Sequence, residues 1–411
     1  MAKYSRVVLL SFLIVVGCIV VVQPVRADTV TDWNVKACGI VTDSGLQTPP
    51  ANRAMAIVQT AVYDAVNAIT RRYPAGAAGV GAGTLASVDA AVAAANLTTL
   101  TKLVPSQQAA IEKAYKTALA AIPDGPAKTE GISIGEKAAA NILALRADDG
   151  AGAVEVYRPY TIAGVYVPTI LPAAPQWPDR KPWLMSSPAQ FRPGPPPDLK
   201  SELWARDYNE VRALGAKNST VRTAEQTAIA RFWEVTGPAV YHGVVRSVAG
   251  ARGREVTQNA RLLMAVTQAV DDAMIAVFDA KYHYNFWRPI TAIRNADIDG
   301  NDATQVDASW TPFIDTPMHP EYPCAHCIVS GAVGTVLKGE IGSGPMPTLM
   351  TTSSTANGAS RSWRTIEAFL QEVANGRVYD GVHYRNSTEV GTAMGKQIGE
   401  LAVAKYLRPI K

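Results

Sequence analysis

One lysine, two arginines and two histidines fall in three short patterns between Lys281 and His383, and chemistry could be built from these side chains. The patterns are Lys281-Tyr-His-Tyr-Asn-Phe-Trp-Arg288-Pro289, Pro323-Cys324-Ala325-His326 and Arg377-Val-Tyr-Asp-Gly-Val-His383. A tetrahedral or trigonal-bipyramidal oxyanion needs several fixed donors. Arginine supplies planar forks and lysine a point charge, so three cations neutralise most of its charge. Pro289 suits the first turn of a helix, which places Arg288 at a helix entrance and Lys281 at the end of the preceding helix. Pro323 predicts a helix starting near Cys324, aiming the backbone N–H groups of Ala325 and His326 at the anion. Gly381 lets the backbone approach closely beside His383.

The three patterns resemble the K-x6-RP, PSGH and R-x5-H signatures of vanadium-dependent haloperoxidases and type 2 phosphatidic-acid phosphatases. The resemblance extends from about Phe232-Trp233 to Gly399. Around Trp287-Arg288-Pro289-Ile290 and Thr316 to Tyr322 it is nearer to secreted bacterial haloperoxidase-like proteins. It implies that Lys281, Arg288, Cys324, Ala325 and Arg377 bind the oxyanion, and that His383 is the vanadium ligand or a phosphoryl-accepting nucleophile. His326 would be the acid/base. His319, seven residues before His326, holds the position that tunes halide oxidation. An acid on the preceding helix, Asp272 rather than Asp271, would pair with Arg377. The chain departs from the pattern at Cys324 and Ala325, where the signature has Ser and Gly, so a hydroxyl hydrogen bond becomes at most a weak thiol contact. Gly376 and Ser387 stand where phosphatases have Ser and a histidine-orienting Asp, which leaves the acceptor behind His383 unassigned.

The 411 residues, 48% hydrophobic and 18% charged, suffice for one large domain or two fused ones. A net charge of +4 does not imply nucleic acid or an acidic membrane surface as a partner. Lys3 and Arg6, the apolar run from Val7 to Val22, and Val25-Arg26-Ala27 form a secretory signal over residues 1–27, so the protein is expected outside the cytoplasm or in the periplasm. A lipid anchor at Cys18 is a weaker alternative. No other stretch is long and apolar enough to cross a bilayer, which argues against an integral-membrane domain. Cys38, Cys324 and Cys327 remain after cleavage, the last two as a C-x-x-C that reads as a local disulfide or two buried thiols.

Periodicity predicts an all-α protein of two helical bundles, over residues 28–150 and 198–411. In the first, helices are expected from Ala51, over Ser87 to Val104, over Ser106 to Ile122, and over Ile132 to Leu145. Residues 151–197 join the bundles. Eleven of the 27 prolines lie between Ala151 and Lys200, and Trp177, Trp183 and Phe191 favour an ordered surface loop there that walls the entrance to the site. The second bundle is expected to hold helices from Asp198 to Leu214, from the capping box Thr223-Ala-Glu-Gln226, from Val256 to about Ala280, from Arg364 to Asn375, and after His383. Gly342 to Arg361 reads as a loop. Asp297 to Gly300 reads as an acidic turn lacking the closing Glu of a calcium loop. Gly391, Gly395 and Gly399 mark close helix packing.

The resemblance implies a vanadate-dependent haloperoxidase, with hydrogen peroxide, halide and a small organic acceptor as partners and a homo-oligomer as its assembly. The same residues suit a secreted acid phosphatase that acts on a phosphate ester through a phosphohistidine and needs no cofactor. A third reading, a thiol redox or metal-binding module on Cys324 and Cys327, lacks the βαβ context expected of thioredoxin-like proteins and the second C-x-x-C pair of a zinc ribbon. His242 and His283 read as structural hydrogen bonders.

Overall fold

A computed structural model describes residues 28–74 and 85–407; the signal-peptide and Cys18 readings lie outside them. Helix α1 (Thr29–Asp43), which the periodicity did not reveal, starts on a capping box between Asp28 and Thr31. It is followed by α2 (Thr48–Thr70), α3 (Val88–Leu103), α4 (Gln108–Ala120) and α5 (Pro126–Leu145). The second half holds α6 (Glu202–Leu214), α7 (Ala224–Phe232), α8 (Pro238–Ala249), α9 (Val256–Tyr284), α10 (Pro289–Arg294) and α11 (Ala325–Ile341). Two strands, β1 (Leu349–Ser353) and β2 (Ala359–Trp363), precede α12 (Ile366–Tyr379) and α13 (Arg385–Ala402).

The chain is helical as expected, and α9 ties its halves together. Apolar residues surround α9 on every side, as befits a helix with no solvent face. Its Leu263, Val266 and Val270 share one core with Val62 and Val66 of α2, Ile142 of α5, Val333 of α11 and Ile398 of α13. Small residues let α13 reach α11. A Cβ at Gly391 would lie 2.6 Å from Cys324 O, and one at Gly395 would lie 2.0 Å from Ile328 O.

The proline-rich segment has no helix beyond one 3-10 turn at Trp177–Asp179, yet it is fastened to α9. Arg180, fully buried, bridges Asp149 at 2.7 Å and Asp271 at 2.6 Å. Asp272 accepts the N–H groups of Trp183, Leu184 and Met185 at 2.7, 2.8 and 3.0 Å. Within the Gly342 to Arg361 stretch, expected as a loop, β1 and β2 pair antiparallel, and β1 alternates buried and exposed residues. The Asp299 carboxylate accepts Trp204 Nε1 at 3.0 Å and Thr304 Oγ1 at 2.7 Å, which makes that acidic turn a clasp. No helix among the described residues is long and apolar enough to cross a membrane.

Candidate active site

The three patterns converge because each ends at a helix terminus. Lys281 lies in the last turn of α9, which runs to Tyr284 and closes on Asn285 in the left-handed region, φ 50°. Arg288 is the N-cap of α10, with Pro289 following. Cys324 is the N-cap of α11, and its sulfur accepts the N–H of Cys327 at 3.3 Å, satisfying an otherwise unpaired first-turn donor. Arg377 sits within the last turn of α12 and not beyond its end, because the helix continues through Gly376 to Tyr379. The chain then turns at Gly381, φ 79°, where a side chain would meet Gly215 O at 2.3 Å, and this turn presents His383 ahead of α13.

His319, Ala325, His326, Arg377 and His383 line one cavity of about 470 Å³, with Phe278, Met274, Met318 and Pro49 among its apolar walls. Ala173 of the proline-rich segment lines it too. Lys281 and Arg288 stand behind this lining, both buried. Lys281 Nζ donates to the carbonyls of Pro320 and Glu321 at 3.0 and 2.7 Å. Arg288 reaches His383 Nε2 at 3.4 Å and His319 Nδ1 at 3.0 Å, and donates to Val382 O at 2.8 Å. The expectation for Cys324 is revised: its sulfur caps its own helix, and Ala325, one residue on, faces the cavity.

The acceptor behind His383 is Glu321, whose Oε1 lies 2.7 Å from His383 Nδ1 and also accepts Tyr384 N–H at 3.1 Å. Burial first, then Arg288 and Lys281, hold His383 well below the usual imidazole range, so the ring is neutral. With Nδ1–H directed at the carboxylate, Nε2 keeps its lone pair on the Arg288 side. Burial pushes Glu321 up to about 7, against the pull of Lys281 and Arg288. Lys281 is itself lowered, by burial and then by Arg288.

Asp272 does not hold Arg377. The three backbone donors of residues 183–185 take up its carboxylate, and Arg377 pairs instead with Asp380, three residues on at the C-cap of α12. Arg377 also donates to Trp233 O at 2.7 Å, while its Nε finds no acceptor among the described residues. Thr236 Oγ1 lies against the ring nitrogens of His326, 2.8 Å from Nδ1. Burial and then Arg377 lower His326, and burial and then Lys281 lower His319, so all three cavity histidines are neutral. The i,i+3 spacing of Arg377 and Asp380 was a sequence signal that could have found this pair. Glu321 and Thr236 had none, because each meets its histidine only through the fold.

The chain has likenesses among known proteins in both sequence and fold. The sequence profile of the VCPO second helical-bundle domain matches residues 261–411, the stretch that carries all three patterns. Vanadium chloroperoxidase of Curvularia inaequalis is 30% identical over 172 residues, which are 34% of this chain and only 28% of that protein. The crystal structure of a bacterial vanadium-dependent iodoperoxidase superposes with a TM-score of 0.78 at 25% identity, covering 92% of this chain and 95% of the other. A bacterial vanadium-dependent chloroperoxidase in its apo form reaches 0.69 at 18% identity over 88% of this chain and 95% of that one, a likeness of fold. Residues 261–411 thus match one domain of the vanadium chloroperoxidase family, and the fold over nearly the whole chain is that of bacterial vanadium-dependent haloperoxidases.

Proposed function

We propose that the protein oxidises halide with hydrogen peroxide at a vanadate held on His383. The pairing of His383 Nδ1 with Glu321 carries this reading, because it leaves Nε2 unprotonated on the side where the cations gather. Bound vanadate supplies a Lewis-acid centre that activates peroxide toward halide. Lys281, Arg288 and Arg377 balance the oxyanion charge, and the N–H groups of Ala325 and His326 open the 17-residue helix α11 toward it. The partnerless Nε of Arg377 fits such a ligand. Neutral His326, braced by Thr236, accepts the proton that peroxide gives up on binding. His319, 3.0 Å from Arg288, is the position from which the halide preference is set. With residues 1–27 read from the sequence as a secretory signal, the reaction runs outside the cytoplasm, and halide and a small organic acceptor enter the apolar-walled cavity. The test is reconstitution with orthovanadate followed by peroxide-dependent bromination of a phenolic dye; activity indifferent to vanadate rejects the proposal.

The same Glu321–His383 pair suits phosphoryl transfer, with His383 Nε2 as nucleophile and His326 protonating the leaving group. A phosphatase would hydrolyse phosphate esters without vanadate, be inhibited by it, and lose an acid-labile phosphohistidine in His383→Ala.

A further inference from the structure

Cys324 and Cys327, the departures that flank His326, are both free and fully buried. They share one small apolar cluster with Ala374 of α12, which lies three residues before Arg377 and so on the same helix face. Cys324 occupies the N-cap of α11, where its sulfur accepts Cys327 N–H at 3.3 Å. It is bonded directly to Ala325, which lines the cavity. The two thiols are one helical turn apart at a helix N-terminus, beside the cations of an oxyanion pocket.

We propose that this pair is a peroxide-reactive dithiol: Cys324 takes an oxygen from hydrogen peroxide entering the cavity, and Cys327 then closes a disulfide on it. In the first step the Cys324 thiolate sulfur attacks one peroxide oxygen, the O–O bond breaks, and hydroxide leaves and is protonated to water, giving a sulfenic acid. In the second step the Cys327 sulfur attacks the Cys324 sulfur, the S–O bond breaks, and the departing hydroxide leaves as water with the Cys327 proton. Two thiols are oxidised and one peroxide is reduced to two waters.

The surroundings assign the attacking role. Burial raises the Cys324 thiol, but hydrogen bonding from Cys327 and the charges of Arg377 and Lys281 outweigh it and hold Cys324 below its usual range. Burial drives Cys327 well above it, as expected of a resolving thiol that stays protonated. Cys38 is the internal contrast: also buried, it contacts neutral His242 at 3.3 Å, and burial pushes it up to about 12. This inference does not rest on the vanadate reading, since the chemistry needs only thiols and peroxide.

The experiment uses reduced, vanadate-free full-length protein. It is treated with hydrogen peroxide, denatured, alkylated and analysed by peptide mass. The expected result is a Cys324–Cys327 peptide that has lost two hydrogens and resists alkylation, while Cys38 is alkylated. In Cys327→Ser, dimedone should label Cys324; in Cys324→Ser, Cys327 should stay reduced. Full alkylation of both Cys324 and Cys327 after peroxide would overturn the proposal, as would oxidation of Cys327 without Cys324. Equal reactivity toward the bulkier tert-butyl hydroperoxide would also overturn it, because a fully buried sulfur behind Ala325 admits only a small oxidant.

Discussion

At His383, the Glu321→Gln substitution separates charge from shape. Glutamine can still accept Nδ1–H, but the negative charge that raises the basicity of Nε2 is lost. Vanadate affinity, measured by equilibrium dialysis, should fall about 10- to 100-fold, the usual cost of losing such a supporting partner. Stability should not fall, because the carboxyl replaced is one that burial already pushes up to about 7. Two further acids test the reassignment of the Arg377 partner. Asp380→Asn should weaken vanadate binding. Asp272→Asn should leave binding unchanged but cost about 1–3 kcal/mol in denaturant unfolding, since it disturbs three buried backbone donors. If Asp272→Asn weakens binding and Asp380→Asn does not, the assignment is reversed. Lys281, Arg288, His326, Arg377 and His383 were legible as candidates in the sequence because each sits in a short pattern of fixed local spacing. Their supports were not: Glu321 meets His383, and Thr236 meets His326, only after long segments of chain have folded back. Asp272 misled because it is an acid on α9 whose carboxylate is taken up by the backbone N–H groups of residues 183–185.

Packing between elements sets where those residues stand. Cys324 N donates to Ser387 O at 3.1 Å, and the α11–α13 contact runs past Gly391 and Gly395, so the N-terminus of α11 is positioned by α13. Gly391→Ala places a methyl 2.6 Å from Cys324 O and 3.2 Å from Cys327 Cβ. Relief requires the first turn of α11 to move, and with it Ala325 and His326. Vanadate affinity should therefore drop in Gly391→Ala. Gly395→Ala, whose methyl would meet Ile328 O one turn further along, should chiefly lose about 1–3 kcal/mol of stability, the usual cost of overpacking. Dialysis and denaturant melts on the pair check this; equal binding losses in both would mean that the two contacts act as one. The glycine periodicity was visible in the sequence, as was the capping box at Thr223. The hairpin was not. Its Ser, Thr and Gly content looks like loop, and what makes it a sheet is packing of Leu349 and Trp363 into the core.

Across the whole molecule, opposing buried groups shape the dependence of stability on pH. His242 is pushed down to about 3, and His319, His326 and His383 lie well below their usual range, burial being the first cause in each. A base lowered in the fold contributes stability above its unfolded pKa, about 6.5, and that stability is lost as pH falls. Glu321 and Asp380, each pushed up to about 7, and Asp272, to about 6, act the other way. An acid raised in the fold contributes stability below its unfolded pKa, and this is lost as pH rises through its folded value. Between about pH 6.5 and 5 the unfolded chain takes up close to four histidine protons while the folded chain holds close to three carboxyl protons, so the slope is shallow. Below about pH 4.5 the unfolded carboxyls protonate too, the compensation disappears, and the histidines impose a loss of about 1.4 kcal/mol per pH unit for each proton. Asp149, which burial raises but Arg53 and Arg180 together hold down to about 2, adds to that loss. The unfolding free energy should therefore pass through a broad maximum near pH 6 and fall steeply only below about pH 4.5. Glu321→Gln removes one compensating proton, so its slope between about pH 6.5 and 5 should steepen by about 1.4 kcal/mol per unit. His242→Asn should flatten the acid limb by a similar amount. Denaturant melts across this range decide the matter: a wild-type curve that already falls steeply from pH 6.5 would mean that these carboxyls stay ionised in the folded protein.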